Sequence, residues 1–466
     1  MNPASTLALS GLMHDELRTH LFPGDGKEAA SILICARSPG PRRRLVVRDA
    51  ILVPHDACRV RKHDFIAWPG RYLEEAIDLA EPENLVVVLL HSHPGGWLDF
   101  SSVDNDSDAS VLPSLFQAFG DCHGSAIMTP DGAIRARLYS RDMTIMPVDM
   151  VTAAGDDIKY WWSGSISNGK PSKRPLPFGG DMKVEMSQLS VAVIGVSGTG
   201  SIVAEQVARL GFGKVTLIDH DVVEFKNLNR ILNSTLVHAK QEIAKVEMFA
   251  GSVEAHRGPK VAVPVPRTIA CREAVEAAAQ CDILFGCVDT QEARQIADLI
   301  AAAFLIPLFD VGVVIPTRAT PSGPVISDVC GRIDYVQPGG ASLADRRVYT
   351  PEGLRAEHVR MTDPEAFNNE LAEGYIKGIL EEAPGVITLN MRAASAVVNE
   401  FIARAYPYRH EPNALFARTT FSLAACEEDH TAESAFSAEQ SDILGRGDTE
   451  PLLGLPLLRR TRKVAA

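Results

Sequence analysis

Runs of apolar residues with two different periods organise this chain. AASILICA (29–36) and LVVVLLHSH (85–93) are short and continuously apolar, as strands covered on both faces are, and RYLEEAIDLA (71–80) between them has a helical repeat. The pattern predicts a mixed α/β domain over 1–150. GSISNGKPSKRPLPFGG (164–180) is dense in Gly, Ser and Pro and reads as the centre of a linker spanning 151–185. A strand–helix–strand pattern follows: LSVAVIG (189–195), SIVAEQVARLGF, and KVTLID (214–219), with further strands at DILFGCV (282–288) and IPLFDVGV (306–313). Strands alternating with helices at this spacing predict a Rossmann-like, doubly wound parallel sheet over 186–410. A polar crossover of roughly 35 residues, longer than most structureless loops, precedes a long helix at 386–405, and residues 411–466 form a less regular extension.

Composition narrows the setting. A length of 466 residues favours two or three domains, and 46% hydrophobic with 23% charged residues is ordinary for a protein with real cores. Forty-six basic against 59 acidic residues, net −13, argue against a general nucleic-acid or anionic-membrane binder. The eight cysteines never form a C-x-x-C pair, which fits a reduced, cytoplasmic protein. The first twenty residues have no basic start followed by an apolar run. The most apolar window, DLIAAAFLIPLFD (298–310), is bounded by Asp298 and Asp310 and broken by Pro307, and reads as a buried helix running into a buried strand.

Candidate chemistry begins at HSHPGGWLDFSSVD (91–104). Alternate strand residues share a face, so His91 and His93 aim two imidazoles at one point. Pro94, Gly95 and Gly96 turn the chain away, and a helix opening at Ser101–Asp104 returns Asp104 as a third ligand. Two histidines, one carboxylate and an open position describe a catalytic zinc site, and Glu28, just before the first buried strand, is the candidate base. Blander readings use the same residues: S-x-x-D is also a helix capping box, and H-x-H also a strand end with polar tips. The aspartates at 104, 106 and 108 do not make a calcium loop, because no Gly stands at the sixth position and no Glu at the twelfth.

His91-x-His93-Pro94, six residues, Ser101, two residues, Asp104 resembles the JAMM motif of the JAB/MPN metalloprotease family, and Glu28 in KEAASILI resembles that family's upstream glutamate. The resemblance covers about 10–145. It implies Zn²⁺ held by His91, His93 and Asp104, a proton-handling Glu28, an oxyanion-stabilising Ser101, and cleavage after the C-terminal glycine of a ubiquitin-like protein.

GVSGTG (195–200) sits between a strand and a helix, where Gly195, Gly198 and Gly200 let main-chain N–H groups approach a phosphate. The glycines alone fit NAD, FAD, ATP or no ligand. DHDVVEFKNLNR (219–230), with Lys245 in AKVE and Asp289 in GCVDT, resembles the ThiF/E1-like adenylating enzymes over about 186–405. That resemblance implies ATP with Mg²⁺: Asp219 at the ribose, Asn227 orienting phosphates, Arg230 and Lys245 supplying positive charge, and Asp289 positioning the metal. It also implies a homodimer through this domain and, if cargo passes on as a thioester, an E2-like partner and a nucleophilic cysteine. No cysteine lies between 331 and 425. Cys287 ends a buried strand, so the thioester falls to Cys330 or does not form on this chain.

Together the resemblances imply a JAB/MPN domain followed by a ThiF/E1-type domain, acting on the C-terminal glycine of one small protein in a bacterial ubiquitin-like modification system. Two other readings use the same residues: activation and processing of a sulfur-carrier protein, and a non-catalytic scaffold that binds a ubiquitin-like partner.

Overall fold

The computed structural model describes residues 2–365, 367 and 386–460. The chain forms two compact units: Pro3–Arg174 with Ala302–Leu305 and Ser441–Ala466, and Met1–Asn2 with Pro175–Ala301 and Ile306–Gln440.

A nine-stranded mixed sheet forms the first unit. Ser5–Ser10, Arg43–Leu52, Ala30–Arg37, Val86–Ser92, Cys122–Met128 and Ile134–Ser140 run in that spatial order through its middle. LVVVLL is continuously apolar because both faces are covered. Val86, Val88 and Leu90 pack with Leu17 and Leu21 of helix Gly11–Leu21. Val87 and Leu89 face the other way, against Ala76 and Ala80 of helix Arg71–Ala80 and Leu112, Leu115 and Phe116 of helix Ser102–Ala118. Period two therefore places His91 on the face that carries helix Ser102–Ala118.

The linker begins later than the composition suggests. Met150–Ala154 pairs in parallel with Ser5–Ser10, and Ile158–Trp162 pairs antiparallel with Met150–Ala154. Two short apolar runs around Gly155-Asp156-Asp157 form a hairpin, and the Gly/Ser/Pro density downstream masked it.

The second unit has an eight-stranded sheet. Ala262–Val265, Lys214–Ile218, Ser190–Ile194, Ile283–Gly286 and Leu308–Val314 are parallel neighbours in that order. This is the doubly wound core read from the sequence. Three antiparallel strands, Cys330–Val336, Arg418–Ser422 and Glu427–Thr431, extend it, so part of 411–466 completes the sheet. Helix Ile387–Ala405 buries Leu389, Ala393, Val397 and Phe401, and Phe401 meets the rings of Phe212, Phe285 and Phe309. The crossover before it contains helix Pro351–Thr362; positions 368–385 of that crossover lie outside the described residues. The window 298–310 is the end of helix Gln291–Phe304 and the start of strand Leu308–Val314. Among the described residues no helix is long and apolar enough to cross a membrane.

Two buried carboxylates make these cores testable. Asp108, 5% exposed, accepts from Arg137 Nη2 (2.7 Å) and Nε (3.1 Å), Tyr139 Oη (2.8 Å) and Ser125 Oγ. Asp108→Ala strands a buried guanidinium, so chemical denaturation should show a loss of about 3–5 kcal/mol. Asp298, 5% exposed, accepts from Leu343 N (3.0 Å) and Tyr349 Oη (2.9 Å), and burial pushes it up to about 6. Because this lies above the unfolded value of about 3.9, the native state holds the proton more tightly and ionisation costs stability. Relative to Asp298→Asn, the wild type should lose about 2–3 kcal/mol as pH rises from about 4 to about 6, then run parallel to it. Parallel stability curves across that window would contradict the assignment.

Candidate functional sites

At the end of strand Val86–Ser92, His91 Nε2 and His93 Nε2 stand 3.1 Å apart. Asp104 reaches them from the first turn of helix Ser102–Ala118, with Oδ1 at 3.0 Å from His91 and Oδ2 at 3.4 Å from His93. Tetrahedral zinc bonds of about 2.0–2.1 Å put donors roughly 3.3 Å apart, close to these separations, and Glu28, His91 and His93 together also form a group of possible metal donors. The Glu28 carboxylate, 7% exposed, lies within 4.8 Å of both imidazoles.

Local chemistry holds each donor in place. His93 Nδ1 is 2.7 Å from the Trp97 carbonyl oxygen, which only accepts, so Nδ1 carries the hydrogen and Nε2 of the neutral ring keeps its lone pair. Ser92, between the histidines, points away; its Oγ accepts from Ala29 N (2.8 Å), and its own N–H donates to Ala29 O (2.9 Å). That clamp sets Glu28 beside the histidines, helped by Glu28 N donating to Lys62 O (2.7 Å) and Arg61 Nε donating to Glu28 O (2.9 Å). The sequence reading missed Ser92, Trp97 and Arg61, since nothing in a lone Ser, Trp or Arg shows which main-chain group it will meet.

Asp104 closes the capping box and faces the two histidines at the same time. Ser101 Oγ accepts from Asp104 N (3.2 Å), and Asp104 Oδ2 accepts from Ser101 N (2.6 Å), while the same carboxylate faces the histidines. Burial alone would raise the Asp104 carboxyl, but the facing imidazoles of His91 and His93 outweigh it and hold the group well below the usual carboxylate range. Burial raises Glu28, with the two imidazoles opposing it only in part. Burial lowers His93, yet its bonds to Asp104 and Trp97 carry the net shift upward.

The second site gathers at the carboxyl ends of the parallel strands. Helix Gly198–Leu210 starts at Ser197 without a side-chain cap, leaving N–H groups toward an anion. Gly195 has φ +85°, and a Cβ there would lie 2.7 Å from Cys287 O; a Cβ on Gly200 would lie 1.7 Å from Gly195 O. At Gly198 it would lie 2.4 Å from Asn390 Nδ2 and 3.3 Å from Arg230 Cδ. Asp219, 9% exposed, accepts from Val196 N (2.7 Å) and Asp221 N (2.9 Å), so it ties the glycine loop to the next strand. Burial raises its carboxyl, with Lys245 opposing. Lys245, its side chain 5% exposed, donates to Asp221 Oδ2 at 2.7 Å.

Asn227 is buried, with its Oδ1 accepting from Glu224 N (3.1 Å). The Arg230 guanidinium donates to Lys226 O (3.1 Å) and Asn229 Oδ1 (3.4 Å). Asp289 is exposed past strand Ile283–Gly286. Other side chains meet the first N–H groups of the following helix: the Glu357 carboxylate accepts from Gln291 N (2.7 Å) and Glu292 N (3.1 Å), and Thr290 Oγ1 accepts from Ala293 N (3.3 Å). Burial pushes the Cys287 thiol far up, and burial together with the neighbouring Asp328 pushes Cys330 up to about 11.

Comparison with known proteins agrees with this division. A family model for prokaryotic homologs of the JAB domain matches residues 12–139, and one for the ThiF family matches 174–349. Ubiquitin-like modifier-activating enzyme 5 of Culex quinquefasciatus is 28% identical over 168 residues, 33% of this chain and 38% of that protein. The same enzyme of Caenorhabditis briggsae is 27% identical over 199 residues, 37% and 42% of the two chains. The chain thus spans about two fifths of the length of these curated relatives. Among solved structures, E. coli MccB with ATP is 15% identical, covering 56% of this chain and 68% of that one at a TM-score of 0.42. Residues 12–139 are therefore a prokaryotic JAB-domain homologue and residues 174–349 a ThiF-family domain, joined in one chain.

Proposed function

We propose that this chain is a bifunctional enzyme of a ubiquitin-like protein. One half activates that protein's C-terminal glycine with ATP, and the other cleaves after the same glycine by zinc-dependent peptidase or isopeptidase chemistry. The observation that carries this reading is the convergence of His91, His93 and Asp104 within 3.0–3.4 Å beside a buried Glu28. The same chain has a ThiF-family domain with a steric need for its loop glycines and a buried Lys245. The printed names of the curated relatives, ubiquitin-like modifier-activating enzymes, support the substrate class.

In the peptidase half, His91, His93 and Asp104 would hold zinc, which would supply Lewis-acid polarisation of a carbonyl and acidify a bound water. Glu28 takes the water proton and returns it to the leaving amine, and burial suits its carboxylate to that exchange. Ser101 Oγ already accepts from Asp104 N, so its hydroxyl hydrogen remains available for a developing oxyanion. In the activating half, a carboxylate oxygen displaces pyrophosphate from the α-phosphorus of ATP, and Asp289 would hold the Mg²⁺ that offsets phosphate charge. Asp219 holds the loop and the ribose, Asn227 shapes the turn that presents Arg230, and Arg230 and Lys245 offset the charge that gathers on phosphate oxygens.

The absence of any cysteine between 331 and 425, with the Cys287 and Cys330 thiols pushed up by burial, favours passing the adenylate to an external acceptor or to another protein's thiol. That observation keeps sulfur-carrier activation as the second reading.

ATP–pyrophosphate exchange with a small glycine-terminated protein tests the activating half. Exchange should require that partner and fall about 100-fold or more in Lys245→Ala; exchange indifferent to either would remove the proposal. For the peptidase, His91→Ala and Asp104→Ala should lose bound zinc in elemental analysis. Glu28→Gln should keep zinc but cleave a glycine-junction precursor about 100-fold or more slowly. Full cleavage by Glu28→Gln would reject the assigned base.

A further inference from the structure

Helix Ile387–Ala405 brings to the glycine loop a polar side chain that its sequence neighbourhood does not advertise. One face of the helix buries Asn390, Ala393, Ala394, Val397 and Phe401, a spacing of three and four residues. The last four are apolar, as a stripe facing a core should be. Asn390 holds the first place and is 3% exposed.

Two helices start side by side there. Asn390 stands against Gly198, the first residue of helix Gly198–Leu210, and further along the same pair Gln206 Nε2 donates to Ser395 Oγ (3.1 Å). The two helices therefore run in the same direction, and both begin at the carboxyl edge of the parallel sheet. Neither start has a side-chain cap, at Ser197 or at Val386, and neither carries an acid in its first turn. Each turns N–H groups and the positive end of its dipole toward that edge.

Helix starts attract an anion without fixing where its oxygens lie, and Asn390 adds a directional group. Its Nδ2 is 2.4 Å from the point where a Cβ on Gly198 would stand, and Arg230 Cδ is 3.3 Å from the same point. The Arg230 guanidinium donates to two neutral oxygens, Lys226 O and Asn229 Oδ1, and among the described residues it has no ion-pair partner. Asn390 uses its main-chain N–H on Val386 O (3.1 Å), but among the described residues its side-chain amide has no hydrogen-bond partner. Buried amides are nearly always paired, because an unmet one loses its water and gains nothing. A side chain placed there for packing alone would be apolar, like those below it.

We propose that Asn390 is a further nucleotide-binding residue, whose amide donates to a phosphate oxygen of ATP held between the two helix starts and Arg230. The proposal rests on the reading of this unit as an ATP-dependent activating domain. A neutral donor orients an oxygen where Arg230 and Lys245 already supply the charge.

The test is calorimetric titration of the full chain with ATP and Mg²⁺, comparing wild type, Asn390→Ala, Asn390→Asp and Ser395→Ala. Asn390→Ala removes the donor and should weaken ATP about 10-fold. Asn390→Asp keeps the shape but sets a carboxylate against phosphate, and should weaken ATP about 100-fold. Without nucleotide, Asn390→Ala should keep the wild-type unfolding midpoint, since the fold draws no hydrogen bond from that amide. Ser395→Ala cuts the Gln206 contact between the same helices and should leave ATP affinity unchanged. Equal affinity in wild type, Asn390→Ala and Asn390→Asp would overturn the proposal, and a lowered midpoint with unchanged affinity would make Asn390 a packing residue instead. An equal loss in Ser395→Ala would also overturn it, by assigning the effect to helix packing. A wild type that binds no ATP would remove the activating reading itself, and the proposal with it.

Discussion

A strand covered on both faces can present working side chains only where it leaves the sheet, and that constraint governs both units. Val86–Ser92 is packed on each side by helices, so its chemistry waits until His91 and His93 at its carboxyl end. In the second unit Ser190–Ile194 ends at the glycine loop, Lys214–Ile218 at Asp219, and Ile283–Gly286 just before Asp289. Parallel neighbours end on the same side, so these residues gather at one edge without any of them needing a special conformation within its strand.

Secondary-structure termini then supply the rest of each site. The first turn of a helix must satisfy its own N–H groups, and here that requirement sets functional atoms in place. Asp104 closes a capping box and thereby aims its carboxylate at two imidazoles. Ser197, lacking a cap, leaves a helix start open beside glycines that cannot carry a Cβ. Asp219 spends its oxygens on two main-chain amides, holding the loop from one side while Lys245 stays buried against Asp221.

Much of this was legible in advance because it depends on short-range pattern. Continuous apolar runs marked the core strands, the alternation of strand and helix marked the parallel sheet, and the spacing of His91, His93, Ser101 and Asp104 marked a donor set that a β-strand and a helix start can bring together. The places where the pattern misled are equally physical. Met150–Ala154 and Ile158–Trp162 were hidden because two five-residue strands beside a Gly/Ser/Pro-rich segment have little periodicity to show. Asp298 and Asp310 looked like polar ends of an apolar window and are both buried, where groups distant in sequence reach them: Leu343 N and Tyr349 Oη donate to Asp298, and Arg332 donates to Oδ2 of Asp310.

By itself, then, the sequence determined which residues could do chemistry and which elements would carry them, because helix and strand periods act over a few residues. Only the tertiary structure decided which polar group does which task. It made Asp104 both cap and ligand candidate while its neighbour one turn on, Asp108, became a core ion-pair partner. It gave the helix cap at Gln291 to Glu357 and left Asp289 exposed. A carboxylate or guanidinium has the same intrinsic chemistry anywhere in the chain. Its role is set by burial and by partners, and those come from residues tens of positions away that only folding brings near.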